Sequence, residues 1–275
     1  MSSTPVLPRI MIAPNGARRV KVDHPRLPMS PEEIVATATA CYAAGAGAIH
    51  LHVRDADGQH VLDAKLYRQV IELIGAAVPD MLVQVTTEAV STYKPSEQMA
   101  LVRNLQPHAI SAAIRELAPH ADAEVAAADF YDWCAGRNIA VQHILYDAGD
   151  VRRLADLIIR GVVPQADLSV LYVLGRYSVG QESNAGDLRP FLEAASALPV
   201  LPDWMVCAFG RGETEALSAA LAAGGKVRVG FENSLWNADG SLAASNEQRV
   251  AAIAAIVRQQ DAESAVVTEE GAHRG

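Results

Sequence analysis

Short apolar runs alternate along the chain with longer stretches of helical period. Residues 9–13, 48–53, 81–86, 109–113, 140–146, 167–174, 204–208 and 227–231 read as strands. Residues 31–44, 64–77, 96–104, 121–134, 151–159, 188–197, 213–223 and 247–259 read as helices. Aromatics are scarce, at 5%, and the many Ala, Val, Leu and Ile suit closely packed helices around parallel strands. The first helix is well signalled: Ser30 is placed to cap it, Pro31 takes its first position, and Glu33 completes a capping box. Gly45 and the pair Gly224-Gly225 fall where a helix must stop and turn back into a strand. Eight strand–helix units without a composition break or an internal repeat predict one α/β domain, a (β/α)₈ TIM barrel. A doubly wound open sheet is the competitor, since periodicity cannot show closure. After about Gln260 the periodicity is lost, and that tail is expected to fray or to pack on a neighbouring subunit.

Composition agrees with a large buried core: 275 residues, 50% hydrophobic and 20% charged. That length suits a single α/β barrel, which typically takes about 250 residues. A net charge of -9 with no long basic stretch argues against nucleic acid and anionic membrane surfaces as partners. Cys41, Cys134 and Cys207 are scattered, which points away from a disulfide framework and toward a reducing compartment. Cys41 and Cys134 read as small packing residues. The N-terminus lacks a signal-peptide pattern, and no apolar run reaches the roughly 18 residues of a membrane helix. A soluble, cytoplasmic protein is expected.

In a TIM barrel the chemistry sits at the C-terminal ends of the strands. The second strand delivers His50 and His52 there, two apart and therefore on one face. A lone interior histidine is usually a satisfied core residue. Two adjacent imidazoles among Val and Leu are costly unless hydrogen-bonded or bound to metal, so the pair is expected to hold a divalent cation, zinc first. Glu232, after the eighth strand, is the candidate third ligand, being separated from the second strand only by the first. Two imidazoles and a carboxylate would leave an open position, the pattern of a catalytic zinc. Arg228, if it points inward, needs an anionic partner. Thr86 and Thr87 could donate to a substrate carboxylate, or merely end a strand. Gly210-Arg211-Gly212 lies where this fold often binds phosphate, although a bare Gly-Arg-Gly is more often a plain loop.

Three segments carry a family likeness. They are Ala13-Pro14-Asn15-Gly16-Ala17-Arg18, then the run from Gly45 through His50-Leu51-His52-Val53-Arg54-Asp55, and finally Arg228-Val229-Gly230-Phe231-Glu232-Asn233. Together they resemble the β-keto acid cleavage enzyme family, whose first characterised activity is 3-keto-5-aminohexanoate cleavage; the similarity runs from about Pro8 to Arg258. The resemblance implies a homo-oligomeric barrel, commonly a tetramer, with zinc held by His50, His52 and Glu232. It implies a reaction between a β-keto acid and acetyl-CoA that yields acetoacetate and a new CoA thioester. Thr86 and Ser111 match hydroxyl-bearing positions near the substrate. Asn15, Arg18 and Thr87 are expected to bind substrate, and the loops at Gly175 and Gly210-Arg211 to take the CoA arm.

Two positions depart from the family pattern. The aminohexanoate enzyme has an Asp directly after the metal-binding Glu, held to be the base and supported by the Arg of the same strand, here Arg228. This chain has Asn233, which takes no proton at neutral pH. Glu88 is the first replacement candidate and Asp147 the second, unless Asn233 only orients and a metal-bound group takes the proton. Arg18 replaces an acid, which disfavours an amine on the substrate's far end and favours an anionic or polar neutral tail. Two alternatives differ in class. A zinc hydrolase of the amidohydrolase kind also uses His-x-His, but wants further ligands on later strands. A non-catalytic ligand-binding barrel would need none of the missing base.

Overall fold

The computed structural model describes the backbone of residues 4–272 and the side chains of residues 4–263. Eight parallel strands close into a barrel in chain order, β8 pairing back onto β1, so the open sheet is excluded. The strands are β1 (Ile10–Ile12), β2 (Ala48–Leu51), β3 (Leu82–Thr86), β4 (Ala109–Ala113), β5 (Ala140–Leu145), β6 (Ser169–Leu174), β7 (Asp203–Ala208) and β8 (Lys226–Val229). The helices are α1 (Pro31–Ala44), α2 (Ala64–Ala77), α3 (Pro95–Leu105), α4 (Ile114–Leu117), α5 (Ala121–Ala135), α6 (Ala148–Ile159), α7 (Arg189–Ala195), α8 (Glu213–Ala222) and α9 (Asn246–Ala272). The short α4 has too few turns to show a period and is missing from the sequence reading. Two 3₁₀ turns, Val179–Gln181 and Ala185–Leu188, precede α7.

The expected strand ends run past the ladders at three sites that matter. β8 stops at Val229 because Gly230 turns the chain at φ +139°, and β2 stops at Leu51, one residue short of His52. β5 stops at Leu145, since Asp147 already caps α6. Helix α9 continues to Ala272, past the point where the apolar period fades. The side chains of the acidic pair Glu269-Glu270, which the sequence places on the solvated surface, lie outside those described. Among the described residues no helix is long and apolar enough to cross a membrane.

Helix α1 begins as expected: Ser30 Oγ accepts from the Glu33 amide at 3.2 Å, and Glu33 Oε2 accepts from the Ser30 amide at 3.2 Å. Such a cap is worth about 0.5–2 kcal/mol. Strand alternation then divides the interior. Ile49 and Leu51 face outward and pack with Ile34, Ala38 and Val70 in the layer between barrel and helices. That burial turns His50 inward, above an apolar plug of Met11, Ala48, Leu171 and Met205. Register sets His50 against Gln84, Thr86 against Ser111, and Ser111 against Gln142, so a polar layer lies across the top of the plug.

Candidate metal centre

Three side chains converge at the C-terminal mouth. His50 Nε2 lies 3.1 Å from His52 Nε2, and Glu232 Oε2 lies 3.7 Å from the first and 3.5 Å from the second. His52 comes just after the ladder, yet its ring stays on the same side as His50. Glu232 is brought over by the turn at Gly230, and its amide donates to Ala13 O at 3.0 Å. Gly16 must be glycine: its φ is +62°, and a Cβ there would sit 2.5 Å from Glu232 Cγ.

The surrounding contacts orient each ligand. His50 Nδ1 donates to Gln84 Oε1 at 2.8 Å, Gln84 Nε2 donates to Gln142 Oε1 at 3.1 Å, and Gln142 Nε2 points at Met205 Sδ, 3.8 Å away. With Nδ1 carrying the proton, the Nε2 lone pair of His50 faces the centre. Arg228 NH2 donates to Glu232 Oε1 at 3.2 Å and to Cys207 Sγ at 3.5 Å, so the inward arginine has its anionic partner. The other carboxylate oxygen, Oε2, is buried with no hydrogen-bond donor. Burial holds both imidazoles well below the usual histidine range, reinforced by Arg228 at His50 and by His50 itself at His52. Neutral imidazoles and a carboxylate are cation ligands. Bond lengths of about 2.0–2.1 Å in a tetrahedron put ligand atoms about 3.3 Å apart, close to the spacings seen here.

A pocket of about 130 Å³ opens above this triad. Asn15, Arg18, Thr86, Glu88 and Arg228 line it with His50 and Glu232. Burial, and then the nearby Glu232, push the Glu88 carboxyl up to about 7, against the opposing pull of Arg176 and Arg18. Thr86 Oγ1 accepts from the Glu88 amide at 3.1 Å and so places that residue. Asn15 Nδ2 donates to Pro28 O and His52 O at 3.0 and 3.3 Å, tying the first loop to the second ligand.

Other expected residues lie outside the pocket lining. Thr87 Oγ1 donates to Ser111 O at 2.9 Å, fastening β3 to β4. Ser111 Oγ and the Asn233 amide are fully buried and unpartnered. Asp147 caps α6 and pairs with Arg115, away from the triad. Gly175 and Gly210, at φ +77° and +82°, pack beneath the Gln181–Glu182 backbone. The Arg211 amide donates to Glu182 Oε2 at 2.7 Å, while its guanidinium stacks 3.7 Å from the Trp236 ring centroid. The turn at Gly210-Arg211 thus already receives a carboxylate from the protein.

Further residues complete the surroundings of the triad. His60 sits 5.0 Å from the His52 ring, but its Nε2 donates to Glu88 O at 3.1 Å rather than facing the triad. Burial holds it down to about 4. Arg54 gathers the first loop by donating to Gly16 O at 2.5 Å and Arg19 O at 3.0 Å. Arg19, Tyr146 and Arg176 complete the wall.

The description of the β-keto acid cleavage enzyme family matches residues 9–272. A 3-keto-5-aminohexanoate cleavage enzyme of Fusobacterium nucleatum is 27% identical over 259 residues, covering 92% of each chain. The 3-oxoadipate:acetyl-CoA acetyltransferase of Cupriavidus necator is 24% identical, over 97% of this chain and 94% of its own. Among solved structures, the ternary complex of ObcA with C4-CoA adduct and oxalate superposes with a TM-score of 0.68 at 16% identity. This chain covers 65% of that ObcA chain, which shares the fold. The match to the family spans nearly every strand and helix described above, and the chain belongs to the β-keto acid cleavage enzyme family.

Proposed function

We propose that this enzyme is a zinc-dependent β-keto acid cleavage enzyme that turns a β-keto acid and acetyl-CoA into acetoacetate and a new acyl-CoA. The observation that carries the reading is the convergence of His50 Nε2, His52 Nε2 and Glu232 Oε2 at the floor of a pocket walled by Glu88. The buried Oε2 without a donor and the inward lone pair of His50 fit a cation. When bound, zinc would supply Lewis acidity to the keto acid's oxygens.

The chain's own groups then account for the proton and the geometry. Glu88 takes a proton from C2 of the keto acid, a task suited to a carboxyl poised near neutrality. The C2 carbanion attacks the thioester carbonyl of acetyl-CoA, and CoA thiolate leaves. The thiolate attacks the original ketone carbon, the C2–C3 bond breaks, and Glu88 returns the proton to the departing acetoacetate. Arg228 holds Glu232 throughout, and the Thr86 hydroxyl faces the substrate carboxylate. Asn233, with an amide and no titratable group, leaves the proton to Glu88. The chain acts as one domain and, as the family resemblance implies, assembles as a homotetramer; a cytoplasmic location is in keeping with three buried free cysteines.

Zinc-loaded protein with acetyl-CoA and a panel of β-keto acids should form acetoacetate, and none from any member rejects the proposal. Turnover without CoA would instead reveal a hydrolase, which the cluster disfavours by offering three ligands among the described residues.

A further inference from the structure

Register pairs Thr86 with Ser111, so the residues leaving β3 and β4 lie side by side. The first set carries Glu88, and the second forms α4 and supplies Glu116. The two peptide groups flanking the Glu88 Cα are each held at both ends. In the first, Gln98 Nε2 donates to Thr87 O at 2.5 Å, and the Glu88 amide donates to Thr86 Oγ1 at 3.1 Å. In the second, His60 Nε2 donates to Glu88 O, and the buried Ala89 amide donates to Glu116 Oε2, both at 3.1 Å. That same Oε2 also accepts from Gln98 Nε2 at 2.8 Å. One carboxylate oxygen on α4 therefore ties α3, through the fully buried Gln98, to the chain leaving β3. What it restrains is a strained turn. Val90 and Ser91 follow at φ +44° and +61°, and a β-branched residue is a genuine outlier there. Such backbone persists only where its surroundings over-determine it.

We infer that Glu116 is a positioning residue for the reaction: with Gln98 it fixes the peptide after Glu88 and so aims the Glu88 carboxylate into the pocket. This rests on Glu88 as the base of the proposed reaction. Glu88 lines the pocket and Glu116 does not, so Glu116 acts through the main chain. Without its oxygen the Ala89 amide is a buried donor with no partner, which the turn relieves by rotating the Glu88–Ala89 peptide. That rotation swings the Glu88 side chain with it. A misplacement of about 1 Å at a reacting group costs about 10²-fold in rate. Glu116 is also one of the charges acting on Glu88, beside Glu232, Arg176 and Arg18. Oxygen and charge are separable, because a glutamine places an oxygen at the same point and carries no charge.

The test compares Glu116→Leu with Glu116→Gln in the zinc-loaded protein, using acetyl-CoA and whichever β-keto acid turns over fastest. The Leu variant should lose about 10- to 100-fold in kcat, with KM and zinc content little changed. The Gln variant should return kcat close to the parental value. Parental kcat in the Leu variant overturns the inference, as does a loss carried by KM or by zinc. A Gln variant as slow as the Leu variant shows that the charge acts and the oxygen does not, and overturns it too. Added to Glu88→Gln, the Leu substitution should cost nothing further in kcat, since the two residues act as one unit. A full further loss would give Glu116 a role apart from Glu88. Parental turnover in Glu88→Gln alone rejects Glu88 as base, and hydrogen exchange then still decides whether Glu116 holds the segment. Exchange across residues 88–93 should quicken in the Leu variant and stay parental in the Gln variant, with the circular dichroism of both unchanged. Parental exchange in the Leu variant means that nothing is clamped.

Discussion

His50 Nδ1 donates to Gln84 Oε1 across 2.8 Å, and this bond decides which nitrogen of the imidazole faces Glu232. Replacing Gln84 by Met removes the acceptor while keeping a similar volume. Metal affinity should fall about 10- to 100-fold, as is usual when the partner of a liganding histidine is lost. Competition against a chelator of known affinity measures it, and an unchanged constant shows that the ring is held by other means.

Glu88→Gln should lower kcat by about 10²- to 10⁴-fold with bound metal unchanged. The parent enzyme's rate should rise with pH, since the base works as a carboxylate and burial pushes it up to about 7. A cation in the triad draws that limb toward lower pH. The variant should lack the limb altogether; a profile identical to the parent's excludes Glu88 as base.

Gly16→Ala tests the loop over Glu232. A Cβ there needs φ +62° and meets Glu232 Cγ at 2.5 Å, so the carboxylate must move. Zinc binding should weaken at least about tenfold, a cost of about 1.4 kcal/mol at the ligand, while the barrel persists by circular dichroism. Full zinc affinity would mean that the loop yields instead.

Glu213 and Arg249 form a pair at 2.5 Å with side chains 0% and 1% exposed, and Glu213 Oε1 also accepts from the Gly230 amide at 3.3 Å. Glu213→Gln leaves a buried guanidinium without its anion, which should cost about 3–5 kcal/mol. Urea unfolding reads that loss, and a change below about 1 kcal/mol would show the pair to be dispensable. Glu232 follows Gly230 by two residues, so the variant should also lose zinc more readily.

Dialysis against a strong chelator should abolish turnover, and stoichiometric zinc should restore it. Activity that survives complete metal removal would refute the role given to His50, His52 and Glu232.

Most of the elements were legible because each is a local matter. Ser30, Pro31 and Glu33 shape the start of α1 through groups a few residues apart, and Gly45 ends it. His50 and His52 share a face because side chains alternate along an extended chain, whatever the fold. Their convergence with Glu232 was already hinted at by strand order. Closure, register and loop packing are set by contacts distant in sequence, and only the tertiary structure decided them. It placed Gln84 against His50 and Glu88 in the pocket wall. It buried Asn233, gave the Gly210-Arg211 turn the Glu182 carboxylate, and joined Glu213 to Arg249. No periodicity encodes such pairings, because two groups meeting across the barrel need share no local pattern. The chain alone determined which residues can ligate a cation; the closed barrel decided which of them face one another, and what holds them there.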